Sequence, residues 1–145
     1  MAPKFPRISP TKIDRNSKII NPTPIDKEER ISFNFRRLNP KDTKFDWTCC
    51  EVNYFNTLID RLRNLSNCTR KEMLHTFNQK SLRFHPLNFK DGSLSEKTFG
   101  VLSEDVDDDA WQFELTANKH GRVHGYFVEN VFYVVWLDPK HELYP

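Results

Sequence analysis

Apolar and polar residues alternate in five stretches of the chain, and each alternation predicts a half-buried β-strand. The first stretch begins at Ile31 and ends before Asn39, and Pro86 stops the second. The last three follow one another closely, which is typical of an antiparallel meander. The predicted strands cover residues 31–38, 82–85, 111–117, 122–128 and 131–137.

Between the first two predicted strands the apolar spacing changes to three and four residues, which predicts helices. A helix of about four turns is expected to turn one apolar stripe to the core. The stripe consists of Val52, Phe55, Leu58, Ile59, Leu62 and Leu65. Thr69 and Glu72 then form a capping-box pattern, which predicts the start of a second, shorter helix with Met73, Leu74 and Phe77.

The order strand, helix, helix and strands predicts an α+β fold in which two helices pack on one face of an antiparallel sheet and leave the other face open. A two-residue turn at Glu129 and Asn130 would set Val128 opposite Val131. This register assigns to the core face Val123, Gly125, Phe127, Phe132, Val134 and Trp136. It assigns to the open face Arg122, His124, Tyr126, Val128, Val131, Tyr133, Val135 and Leu137.

Residues 1–30 differ in composition from the rest of the chain, with five of the nine prolines, no glycine and spaced basic residues. Proline restricts the backbone and lacks an amide donor, so we predict an extended or disordered arm. The alternative is an irregular leader packed on the domain and anchored by Phe5 or by the adjacent Ile19 and Ile20. The remaining residues, 31–145, are predicted to form one domain with a long loop at about residues 88–109.

The composition fits one domain, because 145 residues with 37% hydrophobic side chains can build a single core. No apolar run approaches the roughly 18 residues of a membrane-spanning helix, and the first residues lack the apolar region of a signal peptide. We therefore expect a cytoplasmic protein without a membrane partner. The odd number of cysteines, two of them adjacent, indicates free thiols.

The net charge of +2 conceals an uneven distribution along the chain. Residues 1–50 carry +5, residues 51–100 carry +3 and residues 101–145 carry −6. The basic part suits a nucleic-acid partner, whereas the acidic part alone would repel one.

Four segments in the last third resemble the RelE/ParE family of toxin proteins, namely 111–115 (WQFEL), 121–126 (GRVHGY), 131–136 (VFYVVW) and 141–144 (HELY). In that family a strand with tryptophan is followed by an arginine-led strand, a hydrophobic strand and a terminal basic or His-x-x-Tyr segment. The resemblance implies a RelE-like, toxin-like endoribonuclease of a toxin-antitoxin or defence system, which cleaves messenger RNA, often on the ribosome. The chain departs from the family in its greater length and in its acidic last third.

Attack of an RNA 2′-hydroxyl on the adjacent phosphate needs a base, an acid and a cation, and it needs no metal or other cofactor. Arg122 suits the phosphate because its guanidinium is a fixed two-pronged donor. His124, His141 or Tyr144 would serve as the base or the acid, which completes the predicted catalytic set. The predicted RNA-binding residues are Arg83 and His85, together with Tyr126 and Tyr133 for stacking on unpaired bases.

These residues also have structural interpretations. Arg122 would pair with Glu114 or Glu129, His124 would be simply polar, and His141 and Tyr144 would pin the chain end against the sheet. A metal site built from histidines is not expected, because His85, His120, His124 and His141 lack the usual ligand spacing.

The alternative function is a non-catalytic interaction module on the same scaffold. Such a module would bind a partner protein, such as an antitoxin, through the open sheet face and the N-terminal arm.

Overall fold

The computed structural model describes residues 30–76, 83–100, 109–116 and 119–144. The predictions for the arm at residues 1–29, for residues 101–108 of the loop, and for Phe77, Leu82 and Ala117 lie outside these residues. Among the described residues, no helix is long and apolar enough to cross a membrane.

Within the described residues, five strands form one mixed sheet, in the order β1-β5-β4-β3-β2. The strands are β1 (Ser32–Asn34), β2 (His85–Pro86), β3 (Ala110–Glu114), β4 (Arg122–Val128) and β5 (Val131–Asp138). The α+β class is therefore confirmed. The prediction of a purely antiparallel sheet is wrong, because β1 pairs with β5 in parallel. No short turn joins β1 to β5, so packing between residues far apart in the chain decides their relative direction. The sequence near either strand therefore carries no pattern that predicts it.

Two helices, α1 (Val52–Leu65) and α2 (Arg70–Thr76), pack on one face of the sheet as predicted. The capping box at the start of α2 is confirmed: the Glu72 amide donates to Thr69 Oγ1 over 3.2 Å, and the Thr69 amide donates to the Glu72 carboxylate over 2.9 Å. In α1, Val52 and Ile59 are exposed, contrary to prediction. These two residues are two turns apart on one side of α1, beside the buried stripe.

The helix-side core joins the buried stripe of α1 to the apolar side chains of three central strands. The largest of these side chains come from aromatic residues in contact with one another, such as Phe113 and Phe132 at 5.6 Å between ring centroids. Members of this core from the helices are Tyr54, Leu58, Leu62, Leu65 and Met73, and members from the sheet include Phe113, Val123, Phe127, Phe132, Val134 and Leu137.

The hairpin of β4 and β5 has the predicted register near its turn, from Val128 opposite Val131 to Gly125 opposite Val134. A β-bulge follows, because His124 pairs with Trp136 and Val135 becomes an extra residue. One extra residue reverses the side-chain alternation of everything beyond it. The predicted faces of Trp136 and Leu137 are therefore wrong: Leu137 lies in the helix-side core, and Trp136 lies on the opposite face.

That opposite face is covered, so the prediction of an open sheet face is wrong. Three irregular parts of the chain cover it, and together we term them the covering layer. They are the segment at Phe45, residues 87–99 and residues 139–144. The ring of Phe45 stacks on Trp136 at 4.5 Å between centroids. The second core between sheet and layer contains Phe45, Leu87, Leu94, Phe99, Ala110, Tyr126, Val135, Trp136 and Leu143.

Candidate active site

Polar side chains cross the covered face in two adjacent rows, set by the register of the strands. In the first row Glu114, Arg122 and Asp138 are direct partners on β3, β4 and β5. In the second row His85 is opposite Gln112, which is opposite His124. Side chains on directly paired residues lie about 5 Å apart at Cβ, so the two rows make one continuous polar cluster beside the second core.

Glu114 lies between two arginines. Its Oε1 is 3.3 Å from Arg83 Nη1 and 3.6 Å from Arg122 Nε. The Glu114 side chain is 4% exposed, whereas those of Arg122 and Arg83 are 22% and 45% exposed. Two guanidinium groups thus face one carboxylate, which leaves one positive charge of these three side chains uncompensated. The arrangement favours an anion with a single negative charge.

Arg122 also contacts the C-terminal segment, because its guanidinium carbon lies 5.7 Å from the centroid of the Tyr144 ring. A cation over an aromatic face is attracted by the ring quadrupole. Burial, together with the nearby Asp91 carboxylate, raises the pKa of the Tyr144 phenol above its usual value. Tyr144 therefore remains protonated near neutral pH, so its phenol keeps an O–H group that can donate a hydrogen bond.

His124 has no access to solvent, because the covering layer buries it completely. Its Nε2 donates to Asp138 Oδ2 over 3.2 Å, and Asp138 is also buried. Burial lowers the pKa of the His124 imidazole, and the nearby Arg122 and His141 lower it further, against the opposing effect of Asp138. The prediction of an exposed His124 is wrong, and its hydrogen bond to Asp138 joins β4 to β5 beneath the covering layer.

Asp138 receives two further hydrogen bonds from the chain that follows it. The Glu142 amide donates to Oδ1 over 2.8 Å, and the Leu143 amide donates to Oδ2 over 3.0 Å. Burial by itself would raise the pKa of Asp138, but the hydrogen bonds from His124 and the two amides outweigh it and hold that pKa below its usual value. The carboxylate is therefore charged at neutral pH.

His141 lies on the same C-terminal segment and is half-buried, with a positive φ of 57°. The left-handed backbone at His141 reverses the chain, so that the following residues return over the sheet. Of the predicted catalytic residues, the structure brings Arg122 and Tyr144 into contact, places His141 on the segment that carries Tyr144, and buries His124 beneath them.

The predicted RNA-binding residues are divided in the same way. Arg83 contacts Glu114, and His85 is exposed on β2 at the edge of the sheet. Tyr126 stacks on Tyr133 at 5.1 Å with the rings 2° from parallel. Because Tyr126 is buried, the prediction that it offers a face to an unpaired base is wrong; Tyr133 keeps part of its surface exposed.

Three members of the cluster are not among the predicted functional residues, namely Glu114, Asp138 and Gln112. The sequence indicates Glu114 only as one of two alternative partners of Arg122, beside Glu129, and the register of β3 and β4 selects Glu114. The role of Asp138 could not be predicted from the sequence, because the β-bulge decides which face of the sheet its side chain occupies. Within the described ranges, no three His, Cys, Asp or Glu side chains are grouped closely enough to hold a metal ion. Comparison with family models, curated proteins and solved structures finds no match.

Proposed function

We propose that the protein is a toxin-like endoribonuclease that cleaves single-stranded RNA by attack of the 2′-hydroxyl on the adjacent phosphate. The observation that carries the proposal is the Glu114 carboxylate between Arg83 and Arg122, at 3.3 and 3.6 Å, with the Arg122 guanidinium carbon 5.7 Å from the centroid of the Tyr144 ring. The RelE/ParE-like order of elements supports the same reaction class. In this proposal the base is Glu114 and not the buried His124.

Each group has a defined role in the reaction. Glu114 accepts the 2′-hydroxyl proton as the 2′ oxygen forms a bond to phosphorus. Arg122 and Arg83 stabilise the charge that develops on the phosphoryl oxygens. The Tyr144 phenol donates its proton to the departing 5′ oxygen as the phosphorus–oxygen bond breaks. The products are a 2′,3′-cyclic phosphate and a free 5′-hydroxyl, so atoms and protons balance.

Access to the carboxylate depends on Arg83, the more exposed of the two arginines. A partly exposed ion pair at 3.3 Å contributes little stability, so a phosphate can replace Glu114 as the partner of Arg83. This exchange moves the Arg83 guanidinium onto the substrate, and Glu114 keeps Arg122 as its one remaining ionic partner among the described residues, at 3.6 Å. We therefore expect RNA binding to uncover the base.

The alternative, a non-catalytic interaction module, has less support. The sheet face that it would use is covered by side chains of the protein itself, including Phe45 and Leu143. The N-terminal arm that it would also use lies outside the described residues.

The test is a cleavage assay on a fluorescent single-stranded RNA in the presence of a metal chelator, with 2′-deoxy RNA of the same sequence as a substrate control. We expect cyclic-phosphate products from RNA and none from the 2′-deoxy oligonucleotide. Glu114→Gln and Arg122→Ala are each expected to lower kcat/KM by about 10²-fold or more. Arg63→Ala is the matched control, because Arg63 pairs only with Asp60 on the exposed side of α1 among described residues.

Two results would overturn the proposal. One is the absence of cleavage by the folded wild-type protein across RNAs of all four bases. The other is cleavage that Glu114→Gln leaves unchanged. Circular dichroism and thermal unfolding of each variant establish that the substitution acts on the reaction and not on folding.

A further inference from the structure

The Asp138 carboxylate is the point at which the sheet holds the C-terminal segment. It accepts the amides of Glu142 and Leu143 and the imidazole of His124, at 2.8, 3.0 and 3.2 Å. Since Asp138 is the last residue of β5, its carboxylate closes a tight reversal of five residues. A buried carboxylate with three donors has a fixed orientation, which it imposes on the backbone that it binds.

The segment is fixed from the opposite side as well. Leu143 is fully buried in the second core, and its carbonyl accepts the Ser95 amide over 3.0 Å. The Ser95 hydroxyl donates to the Glu142 carbonyl over 2.8 Å. Tyr144, the next residue, therefore begins from a backbone with little freedom.

Asp138 is also the register partner of Arg122 on β4. Its backbone lies beside the strand that carries Arg122, while its side chain holds the segment that carries Tyr144. Asp138 thus connects the backbone segments that carry Arg122 and Tyr144, whose guanidinium carbon and ring centroid are 5.7 Å apart.

We infer that Asp138 is a positioning residue, which sets the place of Tyr144 against Arg122 by binding the Glu142 and Leu143 amides. His124 orients the carboxylate. The inference concerning catalysis rests on the proposed function, but the positioning itself does not depend on it. Asp138 touches no substrate and acts through the backbone of the C-terminal segment.

The first experiment measures the position of Tyr144 relative to Arg122 and does not depend on any enzymatic activity. The nuclear magnetic resonance signal of the Arg122 Nε–H is expected to be displaced by the Tyr144 ring current, and Tyr144→Leu gives its value without that ring. Asp138→Asn removes one of the two acceptor oxygens, so we expect the Arg122 signal to move towards its Tyr144→Leu value and the Glu142 and Leu143 amide signals to shift. Asp46→Asn is the matched control, because Asp46 is a half-buried aspartate that likewise accepts a backbone amide, that of Thr48.

The second experiment reads the reaction. If the protein cleaves RNA as proposed, Asp138→Asn should lower kcat by about 10²-fold, because a small misplacement of a reacting group is costly. We expect KM to change by less than about twofold, since Arg122 and Arg83 remain. A purely stabilising role of Asp138 would leave kcat unchanged for the folded fraction of the variant.

The outcomes separate the two claims. If the Arg122 signal and kcat are the same in Asp138→Asn as in the wild type, the positioning inference is overturned. The proposed function is not affected by that result. A wild-type protein without cleavage activity overturns the proposed function, and the resonance experiment still decides the positioning. If Asp138→Asn does not fold, His124→Gln keeps an amide donor near the carboxylate, and a partial shift of the same Arg122 signal is expected. An unshifted signal in that variant overturns the role assigned to His124.

Discussion

His124 Nε2 donates to the carboxylate of Asp138 over 3.2 Å, and both side chains are fully buried. The two residues lie on the neighbouring strands β4 and β5, at the end of the sheet where the chain turns back over its own surface. Burying a polar pair costs free energy of desolvation, and removing one partner costs more, because the other is left buried without a hydrogen bond. The pair therefore makes the position of the C-terminal segment sensitive to either residue.

The stability of the protein should depend on pH through His124. Burial holds the pKa of this imidazole below the usual 6.5, so on acidification the unfolded chain binds the proton before the folded one does. The free energy of unfolding should thus decrease as the pH falls below about 6.5, by at most about 1.4 kcal/mol per pH unit for this one proton. The Asp138 contribution, from a lowered pKa, is lost only below its usual value of 3.8.

Urea unfolding at several values between about pH 7 and about pH 5 measures this dependence. His124→Gln should flatten it over that range, while His75→Gln, at an exposed position of α2, should not. Parallel curves for wild type and His124→Gln would show that another group titrates.

The covering layer should contribute to stability as a true core. Leu143 is fully buried, so Leu143→Ala should lower the free energy of unfolding by about 2–5 kcal/mol. Lys140→Ala, in the same segment but exposed, should change it by less than about 0.5 kcal/mol. Chemical denaturation compares the two variants, and a cost for Leu143→Ala as small as that for Lys140→Ala would mean that the segment is not packed on the sheet.

Neighbouring residues of α1 should respond very differently to truncation. Leu58 lies in the helix-side core, whereas Ile59 is 62% exposed. Leu58→Ala should cost about 2–5 kcal/mol and Ile59→Ala less than about 1 kcal/mol in thermal or urea unfolding. Equal costs would indicate that Ile59 is covered, contrary to the structure.

Gly125 should not tolerate a side chain. A Cβ at this position would lie 2.1 Å from the Tyr133 carbonyl oxygen and 2.6 Å from the Phe132 ring. Gly125→Ala should therefore destabilise the protein by about 3 kcal/mol, because the backbone of β5 must move. Gly92→Ala is the control: its Cβ would meet no atom within 4 Å, and we expect a change within about 0.5 kcal/mol. A stable Gly125→Ala variant would contradict the bulged register of the hairpin.

Local patterns in the sequence were sufficient for most of the individual elements. The apolar spacing from Val52 to Leu65 predicts α1, Thr69 and Glu72 predict the start of α2, and the turn at Glu129 and Asn130 sets the first pairs of the hairpin. These features depend on residues a few positions apart, so the chain carries their signal locally.

The candidate site was accessible from the sequence only in part. The sequence groups Arg122 with Tyr144, indicates Glu114 only as a pairing partner of Arg122, and predicts an exposed His124, which the structure buries. An extra residue at Val135 and irregular chain around Leu94 produce no periodic signal. Tertiary structure alone decides the direction of β1, the bulge and the burial of the second face, because all three result from contacts between residues far apart in the chain.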